Sequence, residues 1–186
     1  MDYFKLIFLI FLNKTVKLNY KSSLIYYSIF SYLCINKIIF NKEKLNGTRR
    51  YVSLLCGNND AIENIRKDKW DYKYLEIKEY PFFIMKNISN SLYYQRKTLF
   101  IYVTTTILKK LYMKKKISIL DYKNTLKMLI GFPLLFWSMV LPLENYKKIT
   151  RTDVNILCTI SAIISFLNED KKRSNILSHF MLVSII

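Results

Sequence analysis

Apolar positions along this chain fall into uninterrupted blocks, with little alternation between polar and apolar residues. Residues 6–12 are wholly apolar. Residues 22–36 carry no charge and continue past Lys37 into Ile38, Ile39 and Phe40. After a charged interval come 98–108, 128–143, 154–168 and 175–186, in which His179 is the only residue able to take a charge. A half-buried strand alternates with a period of two, whereas blocks of this kind predict helices that are buried or face lipid. The expected fold class is all-α: a multi-pass helical membrane protein with short hydrophobic helices.

The stretch 98–108 tests that reading most severely. Its β-branched run (Ile101, Val103, Thr104, Thr105, Thr106, Ile107) suits a strand by propensity. As a helix, however, it places Phe100, Val103, Ile107 and Leu111 on one face, with Ile101, Leu108 and Tyr112 beside it. Threonine hydroxyls can bond back to a carbonyl four residues earlier, so the threonines need not be orphaned in an apolar setting. Helix is the better reading.

Length is the objection to membrane spans. The later blocks run to about 12–16 residues, against the roughly 20 that cross a bilayer. Flanking Lys and Arg extend a span because their stems lie along the acyl region, and shielded helices can be short or broken. Three regions follow. Residues 1–40 form an N-terminal hydrophobic anchor and first span, with no small-residue cleavage site after the apolar run. Residues 41–80 are a polar, charged linker with an amphipathic helix that places Ile62, Ile65, Trp70 and Tyr74 on one face. Residues 81–186 are the helical membrane region.

Composition sharpens this picture and excludes several function classes. Over the 186 residues 52% are hydrophobic and the formal net charge is +17, which implies an anionic neighbour or solvated lysines in an AT-rich coding sequence. Three glycines leave no glycine-rich phosphate loop. Cys34, Cys56 and Cys158, without CxxC spacing, read as reduced structural thiols and not as a disulfide or zinc framework. A Ser/His/Asp or Cys/His arrangement would have only His179 to draw on, and its place near the end of an apolar block reads as packed or interfacial, not catalytic. Glu76 and Glu79 share a helix face but have no apolar setting to raise their pKa. The Asn-x-Ser/Thr sequons at Asn13, Asn46 and Asn87 are what chance gives in so Asn-rich a chain. The chain is expected to be no enzyme and to need no cofactor or metal.

Orientation is carried by one loop. Lys109, Lys110, Lys114, Lys115, Lys116, Lys123 and Lys127 face only Asp121 in the same interval. A short basic loop of this kind marks the cytosolic or matrix side. A helix ending near Leu108 and another starting near Met128 should flank it, and a hairpin over 128–168 should return Lys171–Arg173 to the same side. No aromatic residue is interleaved with Lys114–Lys116 to stack on bases, so the expected partner is a lipid bilayer with anionic lipids and not nucleic acid. Two alternatives stay open: a soluble or peripheral basic helical protein on anionic membrane surfaces, and a small transporter or channel subunit. The second lacks the intramembrane charges that such subunits carry.

Residues 91–113, SLYYQRKTLFIYVTTTILKKLYM, resemble the hydrophobic repeat unit of the transmembrane protein 135 family, itself related in outline to a wider group of organelle membrane proteins. Tyr94, Thr98, Tyr102, Leu111 and Tyr112 stand in the order of that pattern. A second apolar helix follows, then Leu141-Pro142 where the family has an acid-Pro pair, with Glu144 as the nearest acid. The likeness covers about residues 88–150. It implies a multi-pass protein of peroxisomal or mitochondrial membranes with a role in lipid handling or organelle maintenance, and no catalytic residues.

Overall fold

Nothing in the residues flanking the apolar blocks stops a helix, so the helices outrun the blocks. A computed structural model describes residues 3–41, 45, 50, 53–67, 69, 75–114, 123–167 and 171–185. Among these residues the chain is all-helical, as expected. The helices are α1 (Tyr3–Thr15), α2 (Tyr20–Phe40), α3 (Asn59–Arg66), α4 (Tyr80–Tyr112), α5 (Lys123–Glu144), α6 (Arg151–Phe166) and α7 (Lys171–Ile185), with a 3-10 turn at Ile77–Glu79 leading into α4. Asn46, Trp70, Tyr74, Lys115, Lys116 and Asp121 lie outside the described residues.

Local chemistry explains the starts. Asn19 and Asn58 accept hydrogen bonds from the backbone amides of Ser22 (2.8 Å) and Ala61 (3.0 Å), capping α2 and α3. Thr150 and Asp153 form a reciprocal capping box on α6, and Glu76 and Glu79 form another on the 3-10 turn. Pro81 falls in the first turn of α4, where its missing amide proton has no helical partner to lose.

Two expected boundaries shift. The helix expected to end near Leu108 continues to Tyr112, and the one expected to start near Met128 begins at Lys123. Lysine is a good helix former, so a charged boundary in the sequence need not be a helix boundary. The helix α4 ends where Lys114 takes the left-handed conformation, φ +52°. It also fuses two apolar blocks into 33 residues, because Gln95, Arg96 and Lys97 contain no breaker.

Helix α2 packs on α6 and α7, α5 on α4 and α6, α1 on α7, and α3 on α2. Aromatic contacts seal these neighbours: Tyr27 stacks on Phe166 at 4.2 Å between α2 and α6, and Phe83 meets Trp137 edge-on at 5.0 Å between α4 and α5. The only two alanines in the chain, Ala61 and Ala162, are both buried.

The interval expected as a polar linker contributes to the core. Leu55, Cys56, Ala61, Ile62 and Ile65 are buried, and the amphipathic helix ends at Arg66. The fully buried Trp137 donates its indole N–H to the Cys56 carbonyl at 2.7 Å. Next to it, Gly57 has φ +71°, and a Cβ there would lie 1.8 Å from the Asn87 carbonyl oxygen. Arg151 at the start of α6 donates to the carbonyls of Ile65 (3.3 Å) and Arg66 (2.7 Å), satisfying the open end of α3.

Trp137→Phe keeps the packing but leaves the Cys56 carbonyl unpaired, and should lower stability by about 1–3 kcal/mol. Gly57→Ala should cost more, since it adds both a backbone clash and a strained φ. Thermal unfolding of the purified variants, each compared with the parent chain, measures both.

Candidate membrane-facing surface

Helices α2, α4, α6 and α7 bury Ser, Thr, Asn, Gln or His side chains among apolar ones, such as Ile88, Val154, Phe166 and Val183, and expose large apolar residues. On the first two-thirds of α2, Ser23, Tyr27 and Ser31 are buried while Ile25, Ile29 and Leu33 are exposed. On α6, Asn155, Thr159 and Ser161 are buried; Ile156, Ile160 and Ile164 form an exposed stripe at i, i+4, i+8. On α4, Asn87, Ser91 and Gln95 are buried at the same spacing, with Phe82, Met85, Phe100, Ile101, Leu108 and Leu111 exposed. On α7, Ser174, Ser178, His179 and Ser184 are buried while Ile176 is exposed. Helix α5, like α3, buries an apolar face: Leu129, Phe132, Phe136, Trp137, Val140 and Leu141 are buried.

The buried hydroxyls are tolerated because most of them bond back to their own helix. Thr159, Ser161, Ser178 and Ser184 each donate to a carbonyl four residues earlier at 2.8 Å. Exposed Thr105 does the same to Ile101 at 2.8 Å, as the sequence predicted for this stretch. Ser178 Oγ also reaches the Ser23 carbonyl at 2.8 Å, so α2 and α7 touch through a hydroxyl. Ser23 Oγ, Ser31 Oγ, Ser91 Oγ and Asn87 Nδ2 are buried without a hydrogen-bond partner. Asn87 is 1% exposed, which closes its sequon to modification in the folded chain.

The residues singled out from sequence do not converge. Lys110 is half-buried, and Lys114, Lys123 and Lys127 are exposed; the side chain of Lys109 is outside the described residues, as are Lys115 and Lys116. Tyr94, Leu111 and Tyr112 are exposed along α4 and Pro142 is exposed in the last turn of α5. Thr98 and Tyr102 lie within α4 with side chains outside the described set. His179 is buried, with Nδ1 2.8 Å from Asn13 Oδ1, which gives it a packing role. Sequence reasoning missed the buried polar stripes, although their signal was present: Asn87, Ser91 and Gln95, like Ser174 and Ser178, recur every four residues inside apolar helices.

Among the described residues no three His, Cys, Asp or Glu side chains cluster as a metal site. A cavity of about 480 Å³ lies between Ile65 and the start of α6, beside Lys148, Thr150, Arg151 and Thr152. Of its basic groups Arg151 is committed to the end of α3 and Lys148 is exposed, and the Thr150–Asp153 box caps the start of α6.

Among the described residues one helix, α2, is long and apolar enough to cross a membrane; Leu129–Glu144 and Ser174–Ile185 are apolar but shorter. No protein-family model, curated protein or solved structure matches the chain.

Asp153 lies in the first turn of α6, ahead of the exposed Ile156–Ile160–Ile164 stripe. Burial pushes its pKa up, but hydrogen bonds from Lys147 and Thr150 outweigh burial and hold it below the usual 3.8. A depressed carboxylate pKa stabilises the fold above the unfolded-state value, and that stabilisation is lost as pH falls through the folded-state value. Unfolding midpoints followed against pH should therefore drop below about pH 4, with a shallower acid limb for Asp153→Asn.

Proposed function

We propose that this chain is a multi-pass integral membrane protein with a structural, non-enzymatic role. The observation that carries the reading is the exposed apolar area of α2, α4 and α6, set beside Ser, Asn and Gln side chains that are buried between helices. In water, stripes such as Ile156–Ile160–Ile164 would remain solvated while Ser, Asn and Gln lose their water, and both changes oppose folding. In lipid the same arrangement is favourable. Apolar side chains meet acyl chains, and small polar ones let helices approach and bond across their interface. Large exposed apolar area without a partner is itself the mark of a protein or membrane contact.

Length supports the same reading for α2, which extends about 32 Å at the usual rise against a hydrocarbon core of about 30 Å; the apolar part of α5, Leu129–Glu144, and α6 each extend about 24 Å. On α4 an uncharged stretch is bracketed by Tyr93, Tyr94 and Arg96 at one end and Lys110 and Tyr112 at the other. Arg96 lies over the Tyr93 ring at 3.8 Å. Tyr94 to Tyr112 spans about 27 Å of helix, the separation at which aromatic and basic girdles meet the two interfaces. The lysines that follow place the α4–α5 connection on the cytosolic or matrix side. The likeness of residues 88–150 to the transmembrane protein 135 family extends the proposal to a peroxisomal or mitochondrial membrane and to lipid handling or organelle maintenance.

Alkaline carbonate should leave the chain in the membrane pellet; release into the supernatant would overturn the integral reading. Ile160→Lys should then weaken insertion by about 2.5–3.5 kcal/mol, whereas the same change on a water-facing surface falls within about 0.5 kcal/mol of neutral. Topology is read by single-cysteine labelling in a chain lacking Cys34, Cys56 and Cys158. Lys115→Cys and Lys172→Cys should react from the same face, and opposite faces would rule out the α5–α6 hairpin.

A further inference from the structure

Hydrogen bonds between distant residues sort the helix ends into two groups. Leu18, in the turn between α1 and α2, donates to Asn175 at the start of α7 at 3.1 Å. Tyr20 at the start of α2 donates to the Leu167 carbonyl just past α6 at 2.7 Å. At the opposite end of α2, Lys37 donates to the Ile185 carbonyl that closes α7 at 2.6 Å. There too Arg66 donates to the Asn41 carbonyl at 2.7 Å, and Arg151 ties the start of α6 to the end of α3. Helix α5 ends at Glu144, shortly before α6 begins, and Tyr80 donates to the Leu141 carbonyl at 3.2 Å, so α4 starts at this second end. The end of α4 and the start of α5 therefore belong to the first end, with the α1–α2 turn and the start of α7.

Charge divides unequally between the two ends. Residues 14–21, 109–127 and 167–173 hold thirteen Lys and Arg against three Asp and Glu, whereas residues 37–79 and 144–153 hold thirteen against nine. At the second end charges are paired locally: Glu63 with Arg66 at 2.7 Å, Glu76 with Lys78 at 2.6 Å and Asp153 with Lys147 at 2.5 Å. At the first end Lys14, Lys17, Lys21, Lys114, Lys123 and Lys127 are exposed. Exposed apolar side chains lead up to them on three helices: Ile7 and Phe11 on α1, Leu108 and Leu111 on α4, Leu126 and Ile130 on α5. An apolar row that ends in lysine lets the stems lie along acyl chains while the ammonium groups reach phosphate. We propose that the first end is a docking face for the anionic phospholipid headgroups of one leaflet, with the α1–α2 turn as part of it. This rests on the membrane reading and adds a lipid class and a side to it. Attraction to anionic lipid grows with each lysine held near the surface, and the paired charges of the second end have little to add to it. A polynucleotide fits this face less well, because it offers nothing to the apolar rows that run into the lysines.

The full-length protein is reconstituted in phosphatidylcholine vesicles with a trace of spin-labelled phosphatidylglycerol or spin-labelled phosphatidylcholine, and the protein-bound share of each label is measured. The parent chain should prefer the anionic label about fivefold, with the preference shrinking as salt rises. Lys14→Gln, Lys17→Gln and Lys21→Gln together should lower the preference by about half or more. Adding Lys114→Gln, Lys123→Gln and Lys127→Gln should bring it level with phosphatidylcholine. Lys67→Gln, Lys69→Gln and Lys148→Gln remove as much exposed charge from the second end and should leave the preference intact. Arginine at positions 14, 17 and 21 should preserve it, and unchanged helical circular dichroism shows that each variant is folded. No preference in the parent, or equal losses from the two triple changes, overturns the proposal. So does single-stranded RNA that displaces the anionic label more strongly than unlabelled phosphatidylglycerol at equal phosphate concentration. Carbonate extraction of the same vesicles judges the membrane reading separately: a chain that shows the preference and is then released keeps the face and loses the span.

Discussion

Close approach of helices without glycine is the constraint on which this fold depends. A chain with three glycines and two alanines has few residues that let backbones come near one another. Serine takes their place, and a serine in an apolar interface must first dispose of its hydroxyl. Ser178 has two carbonyls at 2.8 Å for its one hydroxyl proton, that of Ser174 in its own helix and that of Ser23 across the interface. The back-bonds of Thr159, Ser161 and Ser184 solve the same problem where no cross-helix acceptor is near. Each makes a polar side chain locally self-sufficient, so the helix can bury a small face and leave its large apolar residues outside.

The second requirement is that the chain between α2 and α4 must not wander. The fold meets it by burying the middle of that interval. Trp137, Gly57 and Arg151 act on successive parts of it: an indole on the loop carbonyl, a missing Cβ against Asn87, a guanidinium on the end of α3. Arg151 thereby links two helix ends, since its own helix opens with the Thr150–Asp153 capping box. Segment 53–66 is thus the keystone between α2 and the α5–α6 pair.

Helix type and approximate position were legible in the sequence because they follow from uncharged length and the absence of alternation. Blocks 128–143 and 154–168 largely coincide with α5 and α6. Boundaries were less legible, because lysine marks a change of polarity without ending a helix, as Lys109, Lys110 and Lys123 demonstrate. Burial of Leu55 and Cys56 could not be read locally: a short apolar run beside charged residues looks the same in a loop as in a core. The buried polar stripes were readable in principle, since a four-residue recurrence of Ser or Asn within an apolar helix distinguishes an inner face from an outer one.

Helix α1 shows where such polar contacts lead. It exposes Phe4, Ile7 and Phe11, and polar contacts join its end and the residues just after it to α7. Asn13 meets His179, while Asn175 accepts from the Leu18 amide at 3.1 Å and donates to the Val16 carbonyl at 3.3 Å. In water, groups parted from such bonds are repaired at once by solvent, so the bonds hold weakly. In an apolar medium parting leaves every one of them orphaned. The grip on α1 is therefore set by its surroundings: the drier the medium, the tighter the clasp, so that α1 reports the polarity of the phase in which it lies.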